Sequence, residues 1–207
     1  MSRQTLVLIF WIVAFLAGDV AGALGEPSSP ATAREVLSRF TPDTTANLRK
    51  TGVLLVENGG KGGTFEGFVI FEPPVDRIWH LLTQGDRQKE YRPELKRIRV
   101  IDKGSDYSLE AHELRIMFIS LTYQLRFDLN RDQNFIGWSL DPGFKNDVDY
   151  ISGSWQLYEM EDGRTLARFE TRVRVGGALP GWLQDTVSRE KIPETLKRCR
   201  VWANKNG

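Results

Sequence analysis

Four side chains in this sequence have the chemistry of general acids or bases and lie close to apolar residues. They are His80, His112, Glu113 and Tyr123. A histidine next to a carboxylate can move protons near neutral pH, which would suit acid–base catalysis on an apolar substrate. Their spacing matches no catalytic motif. We therefore predict no catalytic residue and keep an enzyme as the alternative function.

The same residue types raise the question of a metal. A catalytic zinc ion needs three protein ligands, and the two histidines have no third ligand at a suitable spacing. Asp128, Asn130 and Asp132 resemble the first half of a calcium-binding loop, yet Gln133 stands where glycine is needed and Ser139 where glutamate is needed. We expect neither a metal nor any other cofactor.

Two further features could suggest reactive sites. Cys199 is the only cysteine, so no intrachain disulfide can form, and no histidine lies near it in sequence to activate the thiol. The glycine-rich run at 58–63 lacks P-loop spacing, because Leu55 stands at the position of the first glycine. We interpret Cys199 as a structural residue and the run as a hairpin turn.

The overall charge argues against one class of partner. Lysine and arginine number 28 and aspartate and glutamate 27, which gives a formal net charge of +1. A nucleic-acid-binding domain normally carries a strong basic patch or stripe. We therefore expect no nucleic-acid partner.

The N-terminus has the layout of a secretory signal peptide. Arg3 precedes an apolar run at 6–18, and small residues follow around Ala23. The run is shorter than the roughly 20 residues of a membrane-spanning helix, and Asp19 ends it. We predict a signal peptide at 1–23 and an exported protein, periplasmic or secreted, with an uncleaved anchor as the alternative. Residues 24–50 are predicted as a linker and a short helix.

The first half of the remaining chain predicts helices around a hairpin. Proline and helical spacing indicate a short amphipathic helix that begins near Pro30 and carries Phe40. Strands are predicted at 53–57 and 64–71, and a helix at 74–83. The densely charged residues 86–97 indicate a solvated helix and turn.

The second half predicts an antiparallel meander and a closing helix. Six stretches have the alternation or turn spacing of strands, at 98–102, 107–117, 120–129, 135–140, 150–160 and 164–175. An amphipathic helix follows from Pro180 to the C-terminus, and Pro193 should bend or split it near Lys191. The apolar parity of one strand changes between Ala111 and Leu114, which predicts a β-bulge that would bring His112 and Glu113 to a cavity mouth.

Alternation also assigns the two faces of the sheet. Charged residues occupy one face of the strands at 120–129 and 164–175, and large apolar residues occupy the other. Such a face, covered by the closing helix, is either a packed core or the wall of a pocket. On the pocket interpretation, the predicted ligand-binding residues are Tyr123, Trp138, Trp155, Phe169, Thr171, Val173, Leu183 and Val187.

Four ordered motifs sharpen this interpretation. They are FVIFEPPVDRIWHLL at 68–82, YRPEL at 91–95, GSWQL at 153–157 and LPGWL at 179–183. Together with the order of elements, they resemble the START and birch-pollen-allergen superfamily, also called SRPBCC, in its bacterial polyketide cyclase/dehydrase or coenzyme Q-binding-like branch.

The resemblance implies an α+β helix-grip fold at 51–207, in which a curved antiparallel sheet wraps around a long C-terminal helix. It also implies an apolar ligand such as a lipid, sterol, quinone or polyketide, with transient membrane contact as a possible accompaniment. The family shares no catalytic motif, so the resemblance transfers no catalytic residue. Binding or transfer of an apolar molecule is the expected function, and a cyclase or dehydrase acting on an apolar substrate is the alternative.

Overall fold

A computed structural model describes residues 31–56, 64–176, 182–183 and 186–207. The predicted signal peptide at 1–23, the glycine-rich turn at 58–63 and the predicted start of the closing helix at Pro180 lie outside these residues. Statements below about elements and contacts concern the described residues.

The centre of the fold is one eight-stranded antiparallel sheet. Its order is β1-β2-β8-β7-β6-β5-β4-β3, so the N-terminal hairpin joins the meander through β8. The strands are β1 (Val53–Val56), β2 (Thr64–Phe71), β3 (Leu95–Lys103), β4 (Tyr107–Ile116), β5 (Ile119–Asn130), β6 (Phe135–Leu140), β7 (Tyr150–Glu159) and β8 (Thr165–Arg174). The hairpin and all six predicted meander strands are confirmed, with bounds that differ by a few residues at most.

Within the described residues, four α-helices with defined bounds, a 3-10 helix and a π-helical segment accompany the sheet. The α-helices are α1 (Ala33–Leu37), α2 (Pro42–Thr51), α3 (Val75–Leu82) and α4 (Ile192–Asn206). A 3-10 helix covers Gly85–Glu90, and a π-helical segment covers Thr186–Lys191. None of the helices in the described part of the chain combines the length and apolarity needed to span a membrane.

The N-terminal helices cover part of the outer face of the sheet. In α1, the Thr32 side chain and Glu35 form a reciprocal capping box. Helix α2 was not predicted, although Thr41 caps it, proline occupies its first turn and Gly52 ends it at a φ of 75°. Both helices bury apolar residues in an outer cluster with β2, β7 and β8: Ala33, Val36, Leu37, Leu48, Phe68, Ile70, Tyr158, Met160 and Leu166.

The main core lies on the other face, between the curved sheet and the C-terminal helical segment. Leu196, Cys199, Trp202 and Ala203 of α4 are all buried there, and α3 packs against the same core. We call residues 186–206 the closing segment. It changes from π-helical to α-helical between Lys191 and Ile192, next to Pro193, which is where the sequence predicted a break. The helix-grip fold is thereby confirmed.

The predicted β-bulge near His112 and Glu113 is wrong. Strand β4 pairs with β5 residue by residue from Tyr107 to Ile116, without a register shift. The irregularities lie instead on the neighbouring strand β3, between Leu95 and Arg97 and between Val100 and Asp102. The alternation in β4 is therefore continuous, and its inward-facing side chains simply change from apolar to polar.

Candidate ligand cavity

A cavity of about 170 Å³ lies between the inner face of the sheet and the closing segment. Its walls come from β4 to β8, from the segment at 82–94 and from the closing segment. The lining is mostly apolar and aromatic, with polar residues concentrated in the segment at 88–94 and the closing segment: Leu82, Gln88, Tyr91, Arg92, Glu94, Leu114, Ile116, Leu121, Tyr123, Leu125, Phe127, Ile136, Trp138, Val148, Ile151, Trp155, Phe169, Thr171, Val173, Val175, Val187, Lys191, Ile192, Thr195, Leu196 and Cys199.

Most of the predicted ligand-binding residues line this cavity. The seven that do so are Tyr123, Trp138, Trp155, Phe169, Thr171, Val173 and Val187. The eighth, Leu183, is fully buried in the main core and is not part of the described lining. The sheet face is thus partly packed and partly the wall of a void. Its role in binding a ligand stays a prediction.

Aromatic rings form a continuous wall along the sheet. The Phe169 ring lies 4.7 Å from Trp155 and 5.7 Å from Trp138, centroid to centroid, and Phe127 lies 6.2 Å from Trp138. Cross-strand pairing produces this arrangement, because Trp155 stands opposite Phe169 and Phe127 opposite Trp138 in the ladders. The wall offers an apolar ligand rigid, flat surfaces.

A chain of hydrogen bonds runs along one end of the cavity and the strand behind it. The Arg92 guanidinium donates from Nη1 to Gln88 Oε1 at 2.8 Å, and Gln88 Nε2 donates to Glu110 Oε2 at 3.3 Å. Ser108 Oγ donates to Glu110 Oε1 at 3.2 Å, and His112 Nε2 lies 3.0 Å from Glu110 Oε2. We call these five residues the polar network.

The polar network is mostly buried and closely packed. Gln88, Ser108, Glu110 and His112 are all buried. A Cβ atom at Gly85 would lie only 1.9 Å from Glu110 Oε1, so the absence of a side chain there makes room for the carboxylate. The network is therefore a built feature of the interior rather than a surface cluster.

His112 is held as a neutral ring. Burial lowers its pKa below the ordinary value, as does the charge of Arg92, while the hydrogen bond to Glu110 acts in the opposite direction. Because a carboxylate only accepts hydrogen bonds, Nε2 carries the proton and Nδ1 is an acceptor. Nδ1 is buried and has no hydrogen-bond partner in the described part of the chain. The imidazole is thus oriented and has an unused lone pair, and it lies against Tyr123, outside the cavity lining.

Arg92 stays charged inside this environment. Burial acts to lower its pKa, but Tyr123, Tyr91 and Glu94 outweigh that effect and raise the pKa above the ordinary value. The guanidinium is partly buried and lines the cavity. The apolar chamber therefore contains a fixed positive charge.

Sequence reasoning missed most of this network. The segment at 86–97 was interpreted as solvated, yet it contributes Gln88, Tyr91 and Arg92 to the cavity wall. Glu113 was paired with His112, but neighbouring strand positions face opposite ways, and Glu113 lies 3.8 Å from Arg97 on the other face. The available signal was the alternation of Ser108, Glu110 and His112, which continues the inward parity of Leu114 and Ile116.

The other candidate reactive side chains lie elsewhere or are inert. His80 is exposed on α3, with Nε2 2.6 Å from Gln84 Nε2. Burial raises the pKa of the Cys199 thiol to about 12, so it is protonated at neutral pH and suits a structural role. No group of three or more histidine, cysteine, aspartate or glutamate side chains within the described ranges could hold a metal ion.

The partly exposed rim of the cavity carries an ion pair. Lys191 Nζ of the closing segment lies 3.0 Å from Glu94 Oε1, just before β3, and both residues line the cavity. At the same end, the β4–β5 hairpin exposes Met117 and Phe118, which are 70% and 72% accessible. The Phe118 ring lies 6.0 Å from that of Trp182, itself exposed.

Comparison with known proteins agrees with this architecture. A family model described as polyketide cyclase/dehydrase and lipid transport matches residues 72–200, which is more than half of the chain. A search of curated proteins found no match.

Solved structures share the fold at low sequence identity. A STAR-related lipid transfer protein from Xanthomonas axonopodis has a TM-score of 0.61 and 16% identity, over 73% of this chain and 93% of that one. The Zhui aromatase/cyclase from a Streptomyces species has a TM-score of 0.59 and 17% identity, over 69% and 93%. A START superfamily protein from Mycobacterium smegmatis has a TM-score of 0.57 and 13% identity, over 69% and 97%. At these identities the likeness concerns the fold.

Proposed function

This chain belongs to the polyketide cyclase/dehydrase and lipid-transport family, and from that premise we propose that it reversibly binds and carries an apolar small molecule outside the cytoplasm. The observation that carries the proposal is the aromatic-walled cavity beneath the closing segment. Ligand pockets are typically apolar with a few orienting polar groups, and this cavity has that composition.

The size of the cavity limits what it accepts without rearrangement. An engineered protein cavity of about 150 Å³ holds a single benzene molecule. A cavity of about 170 Å³ therefore suits a compact ligand of one or two rings. A longer lipid, a sterol or an extended polyketide requires the closing segment to move outward, and the change of helix type beside Pro193 is a natural place for that movement.

The most direct test is native mass spectrometry of the purified mature protein, followed by solvent extraction of what it carries. We expect one or more apolar molecules in one-to-one complexes, and displacement of an environment-sensitive naphthalene dye by lipid, sterol or quinone probes. A protein that emerges empty and binds none of these probes at micromolar concentration would contradict the proposal.

Export is part of the same proposal and rests on the sequence at 1–23. We expect the protein in the soluble envelope or secreted fraction, with a new N-terminus near residue 24. N-terminal sequencing of fractionated cells measures this. If the protein is membrane-bound and still begins at Met1, the proposal of a soluble carrier is wrong and the protein is an anchored one.

We propose transient contact with a membrane through the β4–β5 hairpin. Met117 and Phe118 are the most exposed large apolar residues described, and Trp182 beside Phe118 favours an interfacial position. The Phe118→Ser substitution should reduce co-sedimentation with neutral phosphatidylcholine vesicles. Val201→Ser, which changes a similarly exposed apolar residue on α4, should leave co-sedimentation unchanged. Equal sedimentation of the three proteins would refute the contact.

The polar network favours one second candidate, an enzyme of the cyclase or dehydrase type. Glu110 orients His112, which lies against the lining residue Tyr123 and outside the lining itself, and on this candidate its unpartnered Nδ1 takes a proton from a substrate carbon next to a carbonyl once the ligand has moved past Tyr123. His112→Gln should then abolish turnover of an aromatic polyketide mimic while ligand binding persists. If the wild-type protein does not change the absorbance of a poly-β-ketone substrate, there is no turnover, and binding and carriage remain as the proposed function.

A further inference from the structure

Arg92 brings a charge into the apolar cavity without a direct counter-ion. Its guanidinium lines the cavity, and its side-chain hydrogen bonds go to the neutral amide of Gln88 and to the hydroxyl of Tyr123. No carboxylate in the described part of the chain lies within ion-pair distance of it. A charge that has lost part of its hydration is normally compensated by a direct partner.

The neighbouring carboxylates are committed to other groups. Glu110 lies behind Gln88, and its two oxygens accept from Ser108, Gln88 and His112. Glu94 influences Arg92 through space, but its side chain pairs with Lys191 at the rim. Neither residue occupies the donors of the guanidinium that remain after the bonds to Gln88 and Tyr123.

Gln88 also fixes how Arg92 is presented. Its carbonyl oxygen accepts from Arg92 Nη1, while its amide nitrogen donates to Glu110, so the side chain cannot turn without losing both bonds. One edge of the guanidinium is used by this bond. The planar group has five donors, and those that the bonds to Gln88 and Tyr123 leave over match the two oxygens of a carboxylate.

We propose that Arg92 binds the carboxylate of an apolar acid, whose hydrocarbon part lies against the aromatic wall of Trp138, Trp155 and Phe169. This inference rests on the proposed carrier function and specifies its ligand class. The acid supplies the direct counter-ion that Arg92 lacks, and the rings supply the apolar contact area.

A series of probes with one ring system separates these contributions. The probes are 1-naphthoic acid, its methyl ester and naphthalene, measured by fluorescence and calorimetry near pH 7. A charge-assisted hydrogen bond makes the acid bind about 10-fold or more tightly than the ester, with naphthalene weakest. The ester retains a carbonyl acceptor, so its position in the ranking distinguishes a need for charge from a need for any oxygen acceptor.

Variants locate the effect at Arg92. Arg92→Gln should weaken binding of the acid by about 10-fold or more and change binding of the ester by less than about 3-fold. Arg92→Lys keeps the charge but not the planar guanidinium, so its affinity for the acid should lie between that of the wild type and that of Arg92→Gln. Arg99→Gln, at an exposed position on β3, is the matched control and should bind all three probes like the wild type.

The outcomes separate this inference from the function on which it rests. Equal affinity of wild-type protein for the acid and the ester overturns the carboxylate site but leaves carriage of apolar molecules intact. Equal weakening of both probes by Arg92→Gln also overturns it. Failure of all three probes, together with an empty extract, overturns the carrier function itself. If Arg92→Gln does not fold, the affinities of the wild type for the acid and the ester still decide whether the cavity binds a carboxylate.

Discussion

Replacement of Trp155 by alanine tests whether the aromatic wall supports the fold as well as the cavity. The indole is only 8% exposed and packs on Phe169 at 4.7 Å and on Phe71 at 6.2 Å between ring centroids. Substitution of a buried tryptophan by alanine usually costs about 3–5 kcal/mol. Because part of this ring already faces a void, we expect Trp155→Ala to lose about 3 kcal/mol, at the lower end of that range.

Urea unfolding followed by circular dichroism measures this loss. Trp182→Ala, the same substitution at an exposed ring, is the control and should change the free energy of unfolding by no more than about 0.5–1 kcal/mol. The enlarged void of Trp155→Ala should also accept free indole. A ligand at ten times its dissociation constant restores about 1.4 kcal/mol. A loss under about 1 kcal/mol, with no rescue by indole, would refute the packing role inferred for Trp155.

Three further results are expected. Burial lowers the pKa of His112 in the folded protein below the ordinary histidine value of 6.5. As the pH falls, the His112 ring is therefore protonated in the unfolded chain before it is protonated in the folded one. The free energy of unfolding, measured by urea titration, should therefore fall more for the wild type than for His112→Gln between about pH 7 and 5. An equal fall in both proteins would contradict a buried neutral His112 ring. A Cβ atom at Gly153 would lie 2.4 Å from Glu170 O and from the Trp138 ring, so Gly153→Ala should lower the unfolding midpoint by the equivalent of about 1–3 kcal/mol. Cys199 should react with a chromogenic disulfide reagent only after denaturation, and fast labelling of the native protein would show that the thiol is accessible.

Period-two alternation was sufficient to predict the meander and its inner face. Strands β5 and β8 alternate charged and apolar residues cleanly, so Tyr123, Phe169 and Thr171 were correctly assigned inward. The order of motifs added the helix-grip architecture. These features were accessible because they depend on local periodicity, which the sequence displays directly.

The polar network could not be obtained in the same way. Alternation was assumed to place only apolar residues inside, so the parity change between Ala111 and Leu114 was interpreted as a β-bulge near His112 and Glu113. The inward positions of Ser108, Glu110 and His112 were missed for that reason. Their burial depends on partners distant in sequence, above all Gln88 and the space left at Gly85. Helix α2 was missed for a different reason, since its mean hydropathy is low and only Leu48 is buried.

The position of β2 between β1 and β8 has a consequence for how the chain folds. Phe68 pairs with Arg168, so this ladder closes a loop of about 100 residues. Until β8 is available, β2 exposes apolar side chains on both faces, since Phe68 and Ile70 belong to the outer cluster and Val69 and Phe71 to the main core. Such non-local pairing slows folding and leaves a hydrophobic strand edge open to other chains. The edge of β2 therefore stays open to pairing with other chains until the last strand arrives.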